Sequence, residues 1–151
     1  MKFSKPDFSV VLMAVFLSVA AMNVVAQAPA MERTEHQWKS ASASSTFDVL
    51  WSGKDMKMIR EELQAADGFR VKNEYMFNQG TLLHYKQDRY PAEGKSGPAE
   101  ATMASFDKTG KPVISIRRVD GNAAGPASTA AIAAAKKHLA ELLAITGQVK
   151  R

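Results

Sequence analysis

The chain has 151 residues, 46% hydrophobic and 23% charged, with a formal net charge of +5 and no cysteine. Those values exclude a collagen-like, disulfide-stapled or strongly disordered chain, and they fit one ordinary domain but not two. Without cysteine there is no thiol nucleophile, zinc–thiolate site or iron–sulfur cluster, so stability must come from a hydrophobic core.

Residues 1–26 have the three parts of a bacterial secretory leader. Lys2 and Lys5 supply a positive start, Phe8 to Met22 an apolar run, and Val24-Val25-Ala26 the small residues that a signal peptidase reads. Cleavage is expected before Gln27. The alternative is an uncleaved anchor, but the run is short for a span and no basic stop-transfer cluster follows it. No cysteine at the cut means no lipid attachment there. The expected product is periplasmic or secreted, with no transmembrane anchor after cleavage.

Residues 27–45 open on Ala-Pro-Ala and close in a serine/alanine tract, a composition expected of a flexible linker or a short helix. From Thr46 a motif recurs: an aromatic, polar residues around a glycine, then an extended segment ending in arginine. It runs from Trp51-Ser52-Gly53 to Arg60, from Phe77 and Gly80 to Arg89, and from Phe106 and Gly110 to Arg117. Tight hairpins need a residue with positive φ, which explains the glycines. Three hairpins follow, in the register that best sorts apolar from charged residues.

Loops at Ser52-Gly53, Asn78 to Gly80 and Asp107 to Gly110 pair Val49 with Met56, Tyr75 with Leu83, and Met103 with Ile114. On the opposite face they pair Asp48 with Lys57, Glu74 with His84, and Arg70 with Asp88. Lys54 to Asp67 is also rich in helix formers, with Ser52 able to cap and Gly68 to stop, so helix is the named alternative to strand over 54–66.

Downstream, Pro126 opens an alanine- and leucine-rich run whose Ile132, Ala135, Leu139 and Leu142 repeat at helical spacing until Gly147. The expected fold class is α+β, a single domain over 46–147. It is an antiparallel β-meander of about six strands, in three hairpins, packed on one C-terminal amphipathic helix. The expected core is Phe47, Val49, Met56, Met58, Phe69, Val71, Tyr75, Phe77, Leu83, Tyr85, Met103, Ile114 and Ile116, against Ile132, Leu139, Leu142 and Leu143. The Tyr75-x-Phe77-x-x-Gly80 and Phe106-x-x-x-Gly110-Lys111 hairpins resemble those of small exported bacterial β-meander proteins. That resemblance rests on turn chemistry and brings no functional residues with it.

Candidate chemistry is sparse. His36, His84 and His138 lie in no metal-binding spacing, and Glu32, Glu35 and His36 fall in the expected linker. His138, beside Lys136 and Lys137, reads as part of a solvated helix face. There is no nucleophile elbow, phosphate-binding loop or dinucleotide fingerprint, and no cofactor or metal is implied. The basic residues are dispersed, which argues against nucleic-acid binding.

The expected register leaves one mixed surface. It carries Asp48, Lys57, Glu61, Glu74, Arg70, Lys72, His84, Lys86 and Arg117 around Ile59, Met76 and Leu82, with Met76 across from Leu82. An apolar centre in a charged rim suits a docking surface. The expectation is therefore a non-catalytic binding module for an envelope protein or an anionic envelope component. A hydrolase inhibitor and an envelope accessory are two forms it could take. The alternative is a small periplasmic hydrolase using Glu74 and His84 as an acid–base pair.

Overall fold

The computed structural model describes residues 30–92 and 96–147. The leader, its cleavage site and residues 93–95 of the Pro91–Pro98 loop lie outside the described residues.

The chain is an eight-stranded antiparallel sheet with strands in sequence order, followed by one helix. The strands are β1 (Met31–Lys39), β2 (Ser44–Ser52), β3 (Asp55–Gln64) and β4 (Arg70–Asn78), then β5 (Thr81–Tyr90), β6 (Glu100–Phe106), β7 (Pro112–Val119) and β8 (Asn122–Ala123); the helix is α1 (Thr129–Ile145). The α+β meander with a C-terminal helix is as expected, but six strands was an undercount. The segment expected as linker or short helix contributes β1, which pairs along its whole length with β2. Strand pairing supplies the order that composition alone did not suggest. Residues 55–64 are strand, not helix.

Helix α1 forms as its spacing predicts. Ser128 caps it by accepting from the Ala131 N–H at 3.1 Å, and Ile132, Ala135, Leu139 and Leu142 are the buried stripe. That stripe closes on Phe47, Val49, Met56, Ile59, Tyr75, Phe77, Tyr85, Ala104 and Phe106 from the sheet.

The hairpins occur where expected, but their registers differ, and the cause is local. Gln79 and Gly80 both take positive φ, +49° and +77°, and close a two-residue turn between Asn78 and Thr81. Beyond it Phe77 faces Leu82 and Met76 faces His84, so Leu83 is an extra, bulged residue. The first hairpin turns at Gly53-Lys54, with Trp51 opposite Met56 and Leu50 opposite Met58, which makes Lys57 a second bulge. In the third, Ser105 faces Ile114 and Phe106 faces Pro112, so Val113 is a third.

Each bulge moves later side chains to the other face. Ile59, expected on the polar face, is therefore fully buried opposite Val49, and Met58 takes the outer face. Leu82 packs against the core. Met103, Ile114 and Ile116, expected inside, face outward because Ala104 and Phe106 occupy the inner positions of β6. Val49 does not pair with Met56, Tyr75 pairs with Tyr85 instead of Leu83, and Met103 pairs with Ile116.

Candidate functional site

The sheet presents two contrasting faces. On the outer one, cross-strand pairing lines up Leu50, Met58, Met76, His84, Ser105 and Ile114 from β2 to β7. The adjacent row is Asp48, Arg60, Glu74, Lys86, Met103 and Ile116, and the next contains Glu62, Lys72, Asp88, Ala101 and Arg118. Half of this face is a charge lattice. Arg33 contacts Asp48 at 2.7 Å, Lys86 contacts Asp88 at 2.7 Å, Arg60 contacts Glu74 at 3.8 Å, and Glu62 meets Arg70 at 3.6 Å and Lys72 at 3.7 Å.

The other half is apolar. Met76, Met103 and Ile114 expose 41%, 37% and 60% of their surface. Between them lies a depression of about 280 Å³, bounded by Glu74, Met76, His84, Met103, Ser105 and Ile116.

Of the residues expected on the mixed surface, Met76, Arg70, Lys72, His84 and Lys86 do share this face. Ile59 and Leu82 are inside, and Arg117 lies on the helix side opposite Thr102, 3.6 Å from Glu100. The expected Glu74–His84 pair does not form. Glu74 faces Lys86, and His84 faces Met76, because the turn is one residue shorter and Leu83 is bulged. The expected Arg70–Asp88 and Asp48–Lys57 pairs give way to Arg70–Tyr90 and Asp48–Arg60 in the same manner. His84 Nδ1 instead lies 2.9 Å from the Ser105 hydroxyl. Among the described residues His84 has no carboxylate at hydrogen-bond distance to orient it, and the sheet strands commit their backbone N–H groups to the ladder.

The helix side holds a polar cluster that spacing along the chain does not reveal. Glu61, expected on the polar face, has a fully buried side chain. His138 Nε2 lies 2.8 and 2.9 Å from its two carboxylate oxygens, Asn73 donates to it at 2.9 Å, and the Ser45 hydroxyl donates to it as well. Gln87 donates to the Asn73 carbonyl at 3.1 Å, and the Tyr85 hydroxyl reaches it at 3.4 Å. His138 is thus not part of a solvated face: its ring meets the Trp38 ring edge-on at 4.7 Å, and Trp38 donates to Glu141 at 3.1 Å. Lys136 of the same trio donates to the Gly110 carbonyl and lies over the Phe106 ring.

Burial pushes the Glu61 carboxyl upward, but the hydrogen bonds from His138, Ser45 and Asn73 with the His138 charge outweigh it and hold the group below its usual range. The hydrogen bond that His138 donates to Glu61 raises the histidine, against its partial burial. The two form an ion pair that ties helix to sheet.

Beside this cluster runs a cleft of about 330 Å³ between α1 and the sheet. Leu63, Val71, Tyr75 and Tyr85 form part of its floor, Ala131, Ala134 and Ala135 the helix wall, and Trp38 one end. Elsewhere, His36 stacks on Phe47 at 5.2 Å and bonds the Thr34 hydroxyl at 3.0 Å. Among the described residues no group of three or more His, Asp and Glu is gathered to hold a metal ion, and no helix is long and apolar enough to cross a membrane.

Sequence reasoning missed Glu61, His138, Ser45 and Trp38 as partners because 77 residues separate the first two and β1 was read as linker. The available signal was a glutamate alternating with Ile59 and Leu63 on one strand face, a position that demands a partner when buried. No protein-family model matches the chain, and comparison with curated proteins and with solved structures finds no match.

Proposed function

We propose that the chain is a non-catalytic binding module of the bacterial envelope that docks a protein partner through the outer face of its sheet. The observation that carries this reading is the apolar half of that face, where Met76, Met103 and Ile114 stand exposed beside Met58 and Ile116. Contiguous exposed apolar surface rimmed by charge is characteristic of an interaction site.

The charges say what kind of partner suits it. Arg60 and Lys86 each meet a carboxylate of their own, and Arg70 and Lys72 share that of Glu62. Arg118, on the same face across from Ala101, has no ion pair among the described residues. A polyanion therefore meets a partly neutralised surface. A protein segment with apolar side chains and one acidic residue for Arg118 fits better, so the partner is a protein and not an anionic envelope component.

Site-specific photocrosslinking from Ile114 in cells exporting the full chain tests this. A discrete crosslinked protein is expected from Ile114, none from the exposed helix position Ala140, and loss of the product in Met103→Asp at unchanged melting temperature. Equal yields from Ile114 and Ala140 would refute the docking face. A second reading, hydrolysis, has one observation in its favour, the 2.9 Å contact between His84 and Ser105. Turnover in a hydrolase screen that disappears in both Ser105→Ala and His84→Ala would select it.

A further inference from the structure

The edge of the sheet at β1 has the properties of a self-pairing surface. Among the described residues no strand lies on the far side of β1, so alternate residues along Met31–Lys39 turn their backbone N–H and C=O groups outward without a ladder partner. Sheets commonly blunt such an edge with a proline, a bulge or a very short strand. The opposite edge is blunted in all three ways, by Pro112, by the bulged Val113 and by the two-residue β8. β1 has none of these. It runs nine residues without proline and keeps an unbroken register with β2, so its edge is an open template.

The side chains say which strand fits it. β1 carries both signs of charge, in Glu32, Arg33, Glu35 and Lys39, so charge defends the edge in some registers and not in others. Two copies related by a two-fold axis normal to the sheet meet antiparallel at this edge. Because outward-facing backbone groups alternate, the axis passes through one residue position and the neighbours pair symmetrically about it. Centred on Glu32, Arg33 or Glu35, the register sets a charged residue opposite its own copy; centred on His36, it sets Arg33 opposite Lys39. Centred on Gln37, it pairs only residues 35–39. Centred on Thr34, it sets Arg33 opposite Glu35 and Glu32 opposite His36, each twice, and no like charges face each other over residues 31–37. Glu35 gains most from this. It lies opposite Asp48 in β2, Arg33 of its own chain goes to Asp48 at 2.7 Å, and Glu35 has no ion pair among the described residues.

We propose that β1 is a self-association edge: two copies of the chain pair antiparallel about Thr34 and join into one continuous sheet, with both helices on the same side. This does not depend on the docking role of the outer face, whose exposed Met76, Met103 and Ile114 lie on β4, β6 and β7, away from this edge.

Sedimentation equilibrium of the purified exported chain is expected to show a concentration-dependent exchange between monomer and dimer. Glu35→Arg and Arg33→Glu, each alone, set like charges opposite one another and are expected to weaken the dimer roughly tenfold. An equimolar mixture of the two is expected to restore it, since every facing pair is then opposite in sign. Melting curves establish that each variant is folded. Because the chain has no cysteine, the register is read separately from Thr34→Cys, which is expected to crosslink to its own copy with a short bismaleimide. Lys39→Cys, remote from its own copy in this register, is expected not to. That arm stands even where Arg33→Glu, deprived of its bridge to Asp48, fails to fold. Met103→Asp is expected to leave the dimer unchanged, which separates this edge from the docking face. A parent that stays monomeric up to about 1 mM, Glu35→Arg dimerising as tightly as the parent, a mixture of folded variants that stays monomeric, equal crosslinking from Lys39→Cys, or dissociation by Met103→Asp would each overturn the proposal.

Discussion

Removing His138 is the sharpest test of how the helix is held to the sheet. Glu61 has a fully buried side chain and draws bonds from His138, Asn73 and Ser45, while 18% of the His138 side chain remains exposed. Breaking a buried ion pair by removing one partner costs about 3–5 kcal/mol, because the remaining charge is left uncompensated. Here Asn73 and Ser45 still solvate the carboxylate and water reaches the histidine position, so His138→Ala should cost about 3 kcal/mol, at the low end of that range. For a domain of this size that is a fall in melting temperature of about 10 °C.

The pH dependence gives the mechanism a signature. Glu61 sits below its ordinary value of 4.5, so its contribution is complete above that value and is lost as pH falls through the folded pKa. His138 sits above its ordinary value of 6.5, so its contribution is complete below 6.5 and is lost as pH rises through the folded pKa. The pair is therefore at full strength between roughly pH 4.5 and 6.5, and the parent should lose stability on the alkaline side while His138→Ala does not. Urea denaturation of parent, His138→Ala, Glu61→Gln and the double variant across pH 5 to 9 measures both effects. A difference between parent and His138→Ala below about 1 kcal/mol, or one that does not shrink above pH 7, would refute the buried-pair reasoning.

Two further outcomes follow from the turn and from the leader. Gly80 takes φ +77° with nothing within 4 Å of an added Cβ, so Gly80→Val should lose about 2 kcal/mol through backbone strain alone, read by thermal melting; a parent-like melt would show that the two-residue turn is wrong. Intact-mass analysis of the exported protein should give a chain beginning at Gln27, and recovery of residues 1–26 in the membrane fraction would contradict the expected cleavage.

Much of the architecture was legible locally. The helix stripe Ile132, Ala135, Leu139 and Leu142 could be read from spacing because one amphipathic helix needs only its own periodicity to declare the buried side. Glycines 53, 80 and 110 marked the three hairpins because positive φ is a local demand. The candidate site was legible only in part. Met76, His84, Lys86, Arg70 and Lys72 were grouped correctly on one face, whereas Met103, Ile114 and Ile116, which make that face apolar, were placed inside.

The amino-acid sequence by itself determined the class of fold, the glycines that mark three of the turns, the helix and its buried stripe, because propensity, capping and turn chemistry act over a few residues. Only the tertiary structure decided which side chains each strand turns inward. A bulge at Lys57, Leu83 or Val113 inserts a single residue, and its adoption depends on the burial gained when Ile59, Tyr85 and Phe106 meet the helix, not on the bulged residue itself. In the same way the pairing of Glu61 with His138 arises from the closure of α1 over β3, across 77 residues of chain, where no local pattern reaches.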